Sequence, residues 1–124
     1  QSGTVPYDTA NIMLFNSAQF HFLMGTQPDC VILMINPFDD FSYIKRTIAF
    51  IESCVHCKII SLVIFPMSLK SNWSGIYGKK VTLSNDELNN LKKSLVECFE
   101  IPIFTLGNNE DMAKLTDLVI DYFQ

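Results

Sequence analysis

The chain has 124 residues, of which 48% are hydrophobic and only 18% are charged, and its formal net charge at pH 7 is −4. This length predicts a single domain, spanning residues 1–124, with a core large enough to fold without disulfides or metals. The acidic balance argues against nucleic acid and against anionic membranes as partners. No apolar run approaches the roughly 18 to 20 residues that a membrane helix needs, so we expect a soluble, cytoplasmic protein.

The cysteines and the start of the chain indicate the cellular compartment and the extent of the protein. Four cysteines stand in apolar surroundings, which is typical of free thiols in a reducing compartment rather than of a secreted disulfide framework. The chain begins at Gln1 rather than Met, in a polar run, which favours a fragment or a processed chain. The high apolar content either reflects a well-buried core or means that part of the surface meets another domain or subunit.

The first predicted helix begins near Pro6 and runs to about Met24, where Gly25 is suited to the left-handed C-terminal cap. Asp8 or Thr9 could cap its start. Apolar residues surround this helix nearly completely, which predicts burial on more than one side. Whether its outer face packs inside the protein or forms an interface stays open.

An unbroken apolar run between Pro28 and Asp40 predicts a strand buried on both faces at the centre of a parallel sheet. Asp39 or Asp40 should cap a second helix that extends to about Val55. A second strand is expected over residues 58–65, followed by a long irregular segment over residues 67–83.

Ser84 and Glu87 form a capping box, which is the clearest helix start in the chain, with Leu83 and Leu88 placed as a hydrophobic staple. A third strand is expected over residues 101–106, a turn over 107–109 and a last helix over 110–123, with Phe123 facing inward. The order α-β-α-β-α-β-α predicts a three-layer α/β/α fold with a small, mainly parallel sheet. An upstream domain or a second copy of the chain could cover an edge of this narrow sheet.

Ligands of open parallel sheets bind beyond the carboxyl ends of the strands, near a switch in strand order. Three predicted loops, over residues 36–40, 67–83 and 107–111, converge on that rim. Their polar and aromatic side chains are the candidate ligand-binding residues: Asn36, Asp39, Asp40, Lys70, Trp73, Tyr77, Lys79, Lys80, Asn108 and Asn109. The sequence names no cofactor, no metal ligand set and no catalytic residue.

Each candidate motif has a structural alternative. Asp39 and Asp40 could hold Mg²⁺, although aspartate at a helix start more often caps it, and the same holds for Glu110 and Asp111. Residues 75–80 end in glycine and lysines like a phosphate loop, but Trp73 stands where the first glycine is required and Lys80 replaces the Ser or Thr. We therefore reject a complete Walker motif.

Cys54 and Cys57 form a Cys-x-x-Cys pair at a predicted helix end, whereas a thioredoxin-type site needs the pair at a helix start. No second Cys or His pair follows at zinc-ribbon spacing. A structural role is therefore favoured, with a redox role as a more distant alternative. A Ser-His-Asp hydrolase is not indicated, because no nucleophile elbow is present.

Three runs of the sequence carry a family resemblance: residues 4–8 (TVPYD), 36–40 (NPFDD) and 43–53 (YIKRTIAFIES). With these, the chain resembles the C-terminal part of clostridial peptide-maturation system proteins, which are associated with clusters that make modified natural-product peptides. The resemblance implies that this chain is a C-terminal fragment of a longer accessory protein, whose upstream domain is related to nucleotide-binding, Rossmann-like α/β folds. It brings no defined catalytic residue.

Two functions follow as hypotheses. The first is a non-catalytic domain that acts in assembly or in recognition of a precursor peptide, using the apolar first helix and the loop around Trp73 and Tyr77. The second is a nucleotide- or phosphate-ligand-binding half-site of an enzyme or sensor. In that half-site Asn36, Asp39 and Asp40 would face metal or sugar, and Lys79 or Lys80 would face phosphate.

Overall fold

The computed structural model describes residues 17–69 and 80–124, and these contain helices and strands in alternation. The helices are α1 (Ser17–Thr26), α2 (Phe41–Cys54), α3 (Asn85–Cys98) and α4 (Asn109–Tyr122). The strands are β1 (Cys30–Ile35), β2 (Lys58–Ile64), β3 (Met67–Leu69), β4 (Lys80–Thr82) and β5 (Ile103–Thr105). In this part of the chain, no helix combines the length and hydropathy needed to cross a membrane.

The chain divides into two compact units. The first joins Gln1–Val31 to Asp40–Ile59 and carries α1 and α2. The second joins Ile32–Asp39 to Ile60–Gln124 and carries most of the sheet together with α3 and α4. That the 124 residues form one domain stays a prediction.

The main sheet is small and parallel, with the strand order β1-β2-β5. The strands β2 and β5 pair with Leu62 opposite Ile103 and Ile64 opposite Thr105. The predicted mixed α/β class and parallel sheet are therefore confirmed.

The centre of the sheet is β2, and the prediction that the first strand is central and buried on both faces is wrong. Every residue of β2 after Lys58 is buried, whereas Ile32 and Met34 of β1 are 41% and 48% exposed. Among the described strands, β1 pairs on one side only. An unbroken apolar run cannot distinguish the two positions, because a half-exposed edge strand with apolar residues on both faces has the same pattern.

A short antiparallel ribbon follows β2, in a segment that the sequence predicts to be irregular throughout. In this ribbon Met67 of β3 lies opposite Thr82 of β4. At the base of the ribbon, the Leu83 N–H donates to the Pro66 carbonyl at 3.1 Å. The ends of the segment are therefore strands, and the prediction of a fully irregular segment is wrong there.

The helix α1 ends later than predicted, at Thr26 rather than before Gly25. Gln27 takes the left-handed conformation with φ of 43°, and its N–H donates to the Leu23 carbonyl at 3.1 Å. Pro28 follows directly and cannot continue a helix, so the cap falls on Gln27 although it carries a Cβ. The predicted start of this helix lies outside the described residues.

Burial of α1 on more than one side is not found in its described part. Leu23 is buried, but its neighbour Phe22 is 74% exposed and Met24 is also exposed. The alternative, in which the outer face of this helix is an interface, stays a prediction.

The helix α2 matches its prediction closely. Asp40 is the N-cap, and Ile44 and Ile51 are buried on one side of the helix. Glu52 is exposed, and its carboxylate accepts a hydrogen bond from the Ile59 N–H at 2.9 Å. This bond joins the last turn of α2 to the start of β2 within the first unit.

The helices of the second unit also begin where the sequence indicates. Ser84 caps α3 in a complete capping box with Glu87, and Leu95 is fully buried. Asn108 caps α4, and the helix ends at Tyr122. The prediction that Phe123 faces inward is wrong, because Phe123 is the C-cap residue and is exposed.

We expect Ser84→Ala to lower the free energy of unfolding by about 1 kcal/mol, because it removes the side chain that accepts from the Glu87 N–H. Urea denaturation of the purified chain measures this change. The control is Ser94→Ala in the same helix, whose hydroxyl only donates to the Asn90 carbonyl. An equal loss in both variants would contradict the capping role.

Candidate functional site

The turn after β1 is closed by the side chain of Asp39. Its Oδ2 accepts from the Asn36 backbone N–H at 2.7 Å and from the Asn36 side-chain amide at 3.3 Å. The Asp39 N–H donates in return to the Asn36 carbonyl at 3.1 Å. The candidates Asn36 and Asp39 therefore lie together, and they hydrogen-bond to each other.

Burial governs the charge of this carboxylate. Desolvation raises the pKa of Asp39 above its ordinary 3.8, and the hydrogen bonds from Asn36 oppose the rise without cancelling it. Among the described residues, a half-buried carboxyl group with a raised pKa at the end of a parallel strand is the feature that most resembles a ligand-binding or proton-transfer group.

The neighbouring candidate, Asp40, belongs to the first compact unit and caps α2. Its carboxylate accepts from the Ser42 N–H at 3.2 Å and from the Ser42 hydroxyl at 2.9 Å. The capping role weighed against Mg²⁺ binding is thus confirmed for Asp40. No group of three or more His, Cys, Asp or Glu residues placed to hold a metal occurs within residues 17–69 and 80–124.

At the end of β5, the candidate Asn108 is also a capping residue. Its side-chain oxygen accepts from the N–H groups of Glu110 and Asp111, each at 3.1 Å. Asn109 is the first residue of α4 and is exposed. Glu110 forms an exposed ion pair with Lys114, one helical turn later, at 2.6 Å.

Among the described residues of the second unit, Asp111 is the charged residue that is buried, and it does not act as a cap. Its Oδ2 accepts from the Thr105 N–H at 2.7 Å and from the ammonium group of Lys92. Burial alone would raise the pKa of Asp111, but the hydrogen bonds from Lys92 and Thr105 outweigh it and hold the pKa below its ordinary value. Lys92 was not among the candidates, because no local pattern links residues 19 positions apart.

Several of the candidate residues lie outside the described residues: Lys70, Trp73, Tyr77 and Lys79. Lys80 is the first residue of β4, opposite Leu69. The two ends of the segment that carries these residues are therefore joined by the ribbon that follows β2.

The order of the described strands does not provide the expected crevice. The strands β1, β2 and β5 lie side by side in the order in which they occur along the chain. A switch point arises where the strand order reverses, and this sheet has no reversal among its described strands. The physical basis for a ligand crevice at this rim is therefore weaker than the sequence suggested.

The cysteine pair lies at a helix end, as predicted. Cys54 is the last residue of α2, and all four cysteines are free thiols. Burial, and then the nearby Glu52 and Cys30, raise the pKa of the Cys57 thiol. A raised pKa keeps the thiol protonated and a poor nucleophile, which favours the structural role.

A different kind of surface is found on β1, and the sequence reasoning missed it. Ile32 and Met34 expose apolar side chains, and Phe38 in the following turn is exposed as well. All three belong to the second unit. The only signal in the sequence is the absence of any charged residue from Cys30 to Ile35, a composition that is equally typical of a buried strand.

Comparison with protein-family models, with curated proteins and with solved structures finds no match for this chain.

We expect Lys92→Met to destabilise the protein by about 2 to 3 kcal/mol, because it leaves the Asp111 carboxylate buried without its ionic partner. Lys114→Met is the matched control, since it removes the same charge from an exposed ion pair and should leave stability nearly unchanged. Urea denaturation of both variants measures the difference. Similar losses of stability in the two variants would show that the pair of Lys92 and Asp111 contributes no more than the exposed pair.

The raised pKa of Asp39 predicts that its contribution to the free energy of unfolding decreases as pH rises. As pH rises from 3.8 through the folded-state pKa, the folded protein keeps a proton that the unfolded chain has lost, so stability falls. The stability of the wild type minus that of Asp39→Asn should therefore decrease with pH across this window and then become constant. Urea unfolding from about pH 4 to about pH 7 measures it.

The matched control for this pH series is Asp111→Asn. Because the pKa of Asp111 lies below its ordinary 3.8, the stability contributed by its ionised form is complete above that pH. The difference between wild type and Asp111→Asn should thus be constant over the same range. If the stability of the wild type minus that of Asp39→Asn stays constant or increases with pH, the pKa of Asp39 is not raised.

Proposed function

We propose that the chain is a non-catalytic accessory α/β domain that acts in recognition or assembly. The observation that carries this proposal is the exposed apolar surface on β1, where Ile32 and Met34 stand on a strand that pairs on one side only among the described strands. Exposed apolar side chains clustered on one element are typical of surfaces that meet another polypeptide.

The hydrogen-bond partners of the candidate rim residues support the same proposal. Asp39 accepts a hydrogen bond from Asn36, and Asp111 accepts one from Lys92. The other two residues, Asp40 and Asn108, cap helices. Groups that serve catalysis or ligand binding need free lone pairs directed at a common point, whereas these carboxylates and amides satisfy their own backbone.

The biological setting is proposed from the resemblance described above, on the runs over residues 4–8, 36–40 and 43–53. We place the domain in a peptide-maturation system for natural-product biosynthesis, with a precursor peptide, an upstream domain or a second copy of the chain as partner. A cytoplasmic location fits the four free thiols. The proposed architecture is three-layered and Rossmann-like, with helices on both faces of the sheet.

A second candidate function, a half-site for a nucleotide or another phosphate-bearing ligand, is favoured by one observation. Asp39 is a half-buried carboxyl group with a raised pKa, placed just beyond the end of β1. In such a half-site Asn36 and Asp39 would approach a metal or a sugar. The consecutive strand order speaks against it.

A thermal-shift comparison separates the two functions. We expect short peptides with an apolar centre to stabilise the domain, by about 2.7 kcal/mol at a hundredfold excess over Kd, because they bind only the folded state. Nucleotides with Mg²⁺ should leave the melting temperature unchanged. A nucleotide shift that disappears in Asp39→Asn would reject the recognition function in favour of the half-site.

A further inference from the structure

The direction of the backbone groups of β1 can be read from one hydrogen bond. The Phe65 N–H donates to the Ile35 carbonyl at 2.9 Å, so the backbone groups of Ile35 face β2. Along a strand, the N–H and C=O of one residue face the same neighbour, and successive residues alternate. The N–H and C=O groups of Ile32 and Met34 therefore face away from β2, toward the edge where no described strand pairs.

The side chains of the same two residues define an apolar face. Ile32 and Met34 are 41% and 48% exposed, whereas Ile35, on the opposite face, is buried. The strand carries no charged residue and no proline, which are the usual means by which an edge strand avoids pairing with another chain. This edge thus has both requirements for strand addition: backbone groups directed outward and an apolar face beside them.

The charge around the strand indicates what kind of partner fits. Asp29 directly precedes β1, Asp39 and Asp40 follow it, and residues 29–40 contain no Lys or Arg; the whole chain carries −4. Asp39, four residues beyond the strand, belongs to the same compact unit as Ile32 and Met34. A partner with basic residues beside an apolar centre would be attracted to this region.

A second copy of the chain is a poorer partner on the same grounds. Two copies of β1 related by a two-fold axis would pair antiparallel, which places Asp39, beyond the end of one copy, near Asp29, before the start of the other. Like charges that lie close together across paired strands oppose association.

Building on the proposed function, we infer that the outer edge of β1, which no described strand pairs, is a docking site for an extended peptide with apolar residues at its centre and Lys or Arg at its ends. The peptide adds a strand beside Ile32 and Met34. Its backbone pairs with the outward N–H and C=O groups, and its side chains extend the apolar face.

Amide hydrogen exchange followed by NMR tests this inference on the full chain. The probe is a short synthetic peptide of alternating valine and threonine with two lysines at each end. In the free protein the amides of Ile32 and Met34 should exchange fast, whereas that of Ile35 should exchange slowly. The probe should slow exchange at Ile32 and Met34 at least about tenfold, as expected for newly paired edge amides.

Three comparisons sharpen the test. The same peptide with alternate backbone nitrogens methylated should give no protection, because it cannot complete the pairing. A peptide with glutamates in place of the lysines should bind at least about tenfold more weakly at low salt. Met34→Lys should weaken binding by about tenfold, while Val96→Lys, the same charge change at a 60% exposed residue of α3, should not.

Several results would overturn the inference. Slow exchange of Ile32 and Met34 in the dilute free protein would mean that the chain itself already pairs this edge. Protection that grows with protein concentration, without peptide, would make the partner a second copy. Peptide binding without protection at these two amides would leave the recognition function standing but place the peptide elsewhere, whereas no binding of any peptide would reject both.

Discussion

The second compact unit depends on one buried carboxylate. Asp111, in the first turn of α4, accepts both the Thr105 N–H of β5 and the ammonium group of Lys92 from α3. A charge that is removed from water needs such partners, since an unpaired one costs several kcal/mol. This carboxylate therefore links α3, β5 and the first turn of α4.

Features with a local cause could be predicted from the sequence, and those that depend on distant partners could not. The capping box of Ser84 and Glu87 and the N-cap of α2 at Asp40 involve residues within one turn, so spacing alone identifies them. The pair of Lys92 and Asp111 has no such signature. The central position in the sheet belongs to β2 rather than β1 for a similar reason: pairing partners decide it, and apolar residues dominate both strands.

The candidate rim also shows which contacts the sequence could predict and which it could not. Loops that follow parallel strands do collect polar residues, and Asn36, Asp39 and Asn108 were found in this way. The sequence favoured capping for the aspartates that precede α2, but it did not indicate that Asp39 accepts from the Asn36 N–H or that Asn108 caps α4. Conversely, the apolar edge formed by Ile32 and Met34 looked like core, because burial cannot be assigned to an apolar residue before its neighbours are known.

The ribbon of β3 and β4 has a consequence for how this protein can vary. Its pairing, with Met67 opposite Thr82 and Leu69 opposite Lys80, holds together the two ends of the intervening ten residues, 70–79. Loop closure depends only weakly on length, since doubling a flexible loop costs about 0.6 kcal/mol. Related chains could therefore lengthen, shorten or replace this segment without disturbing β2, and new specificities could arise there at little cost to folding.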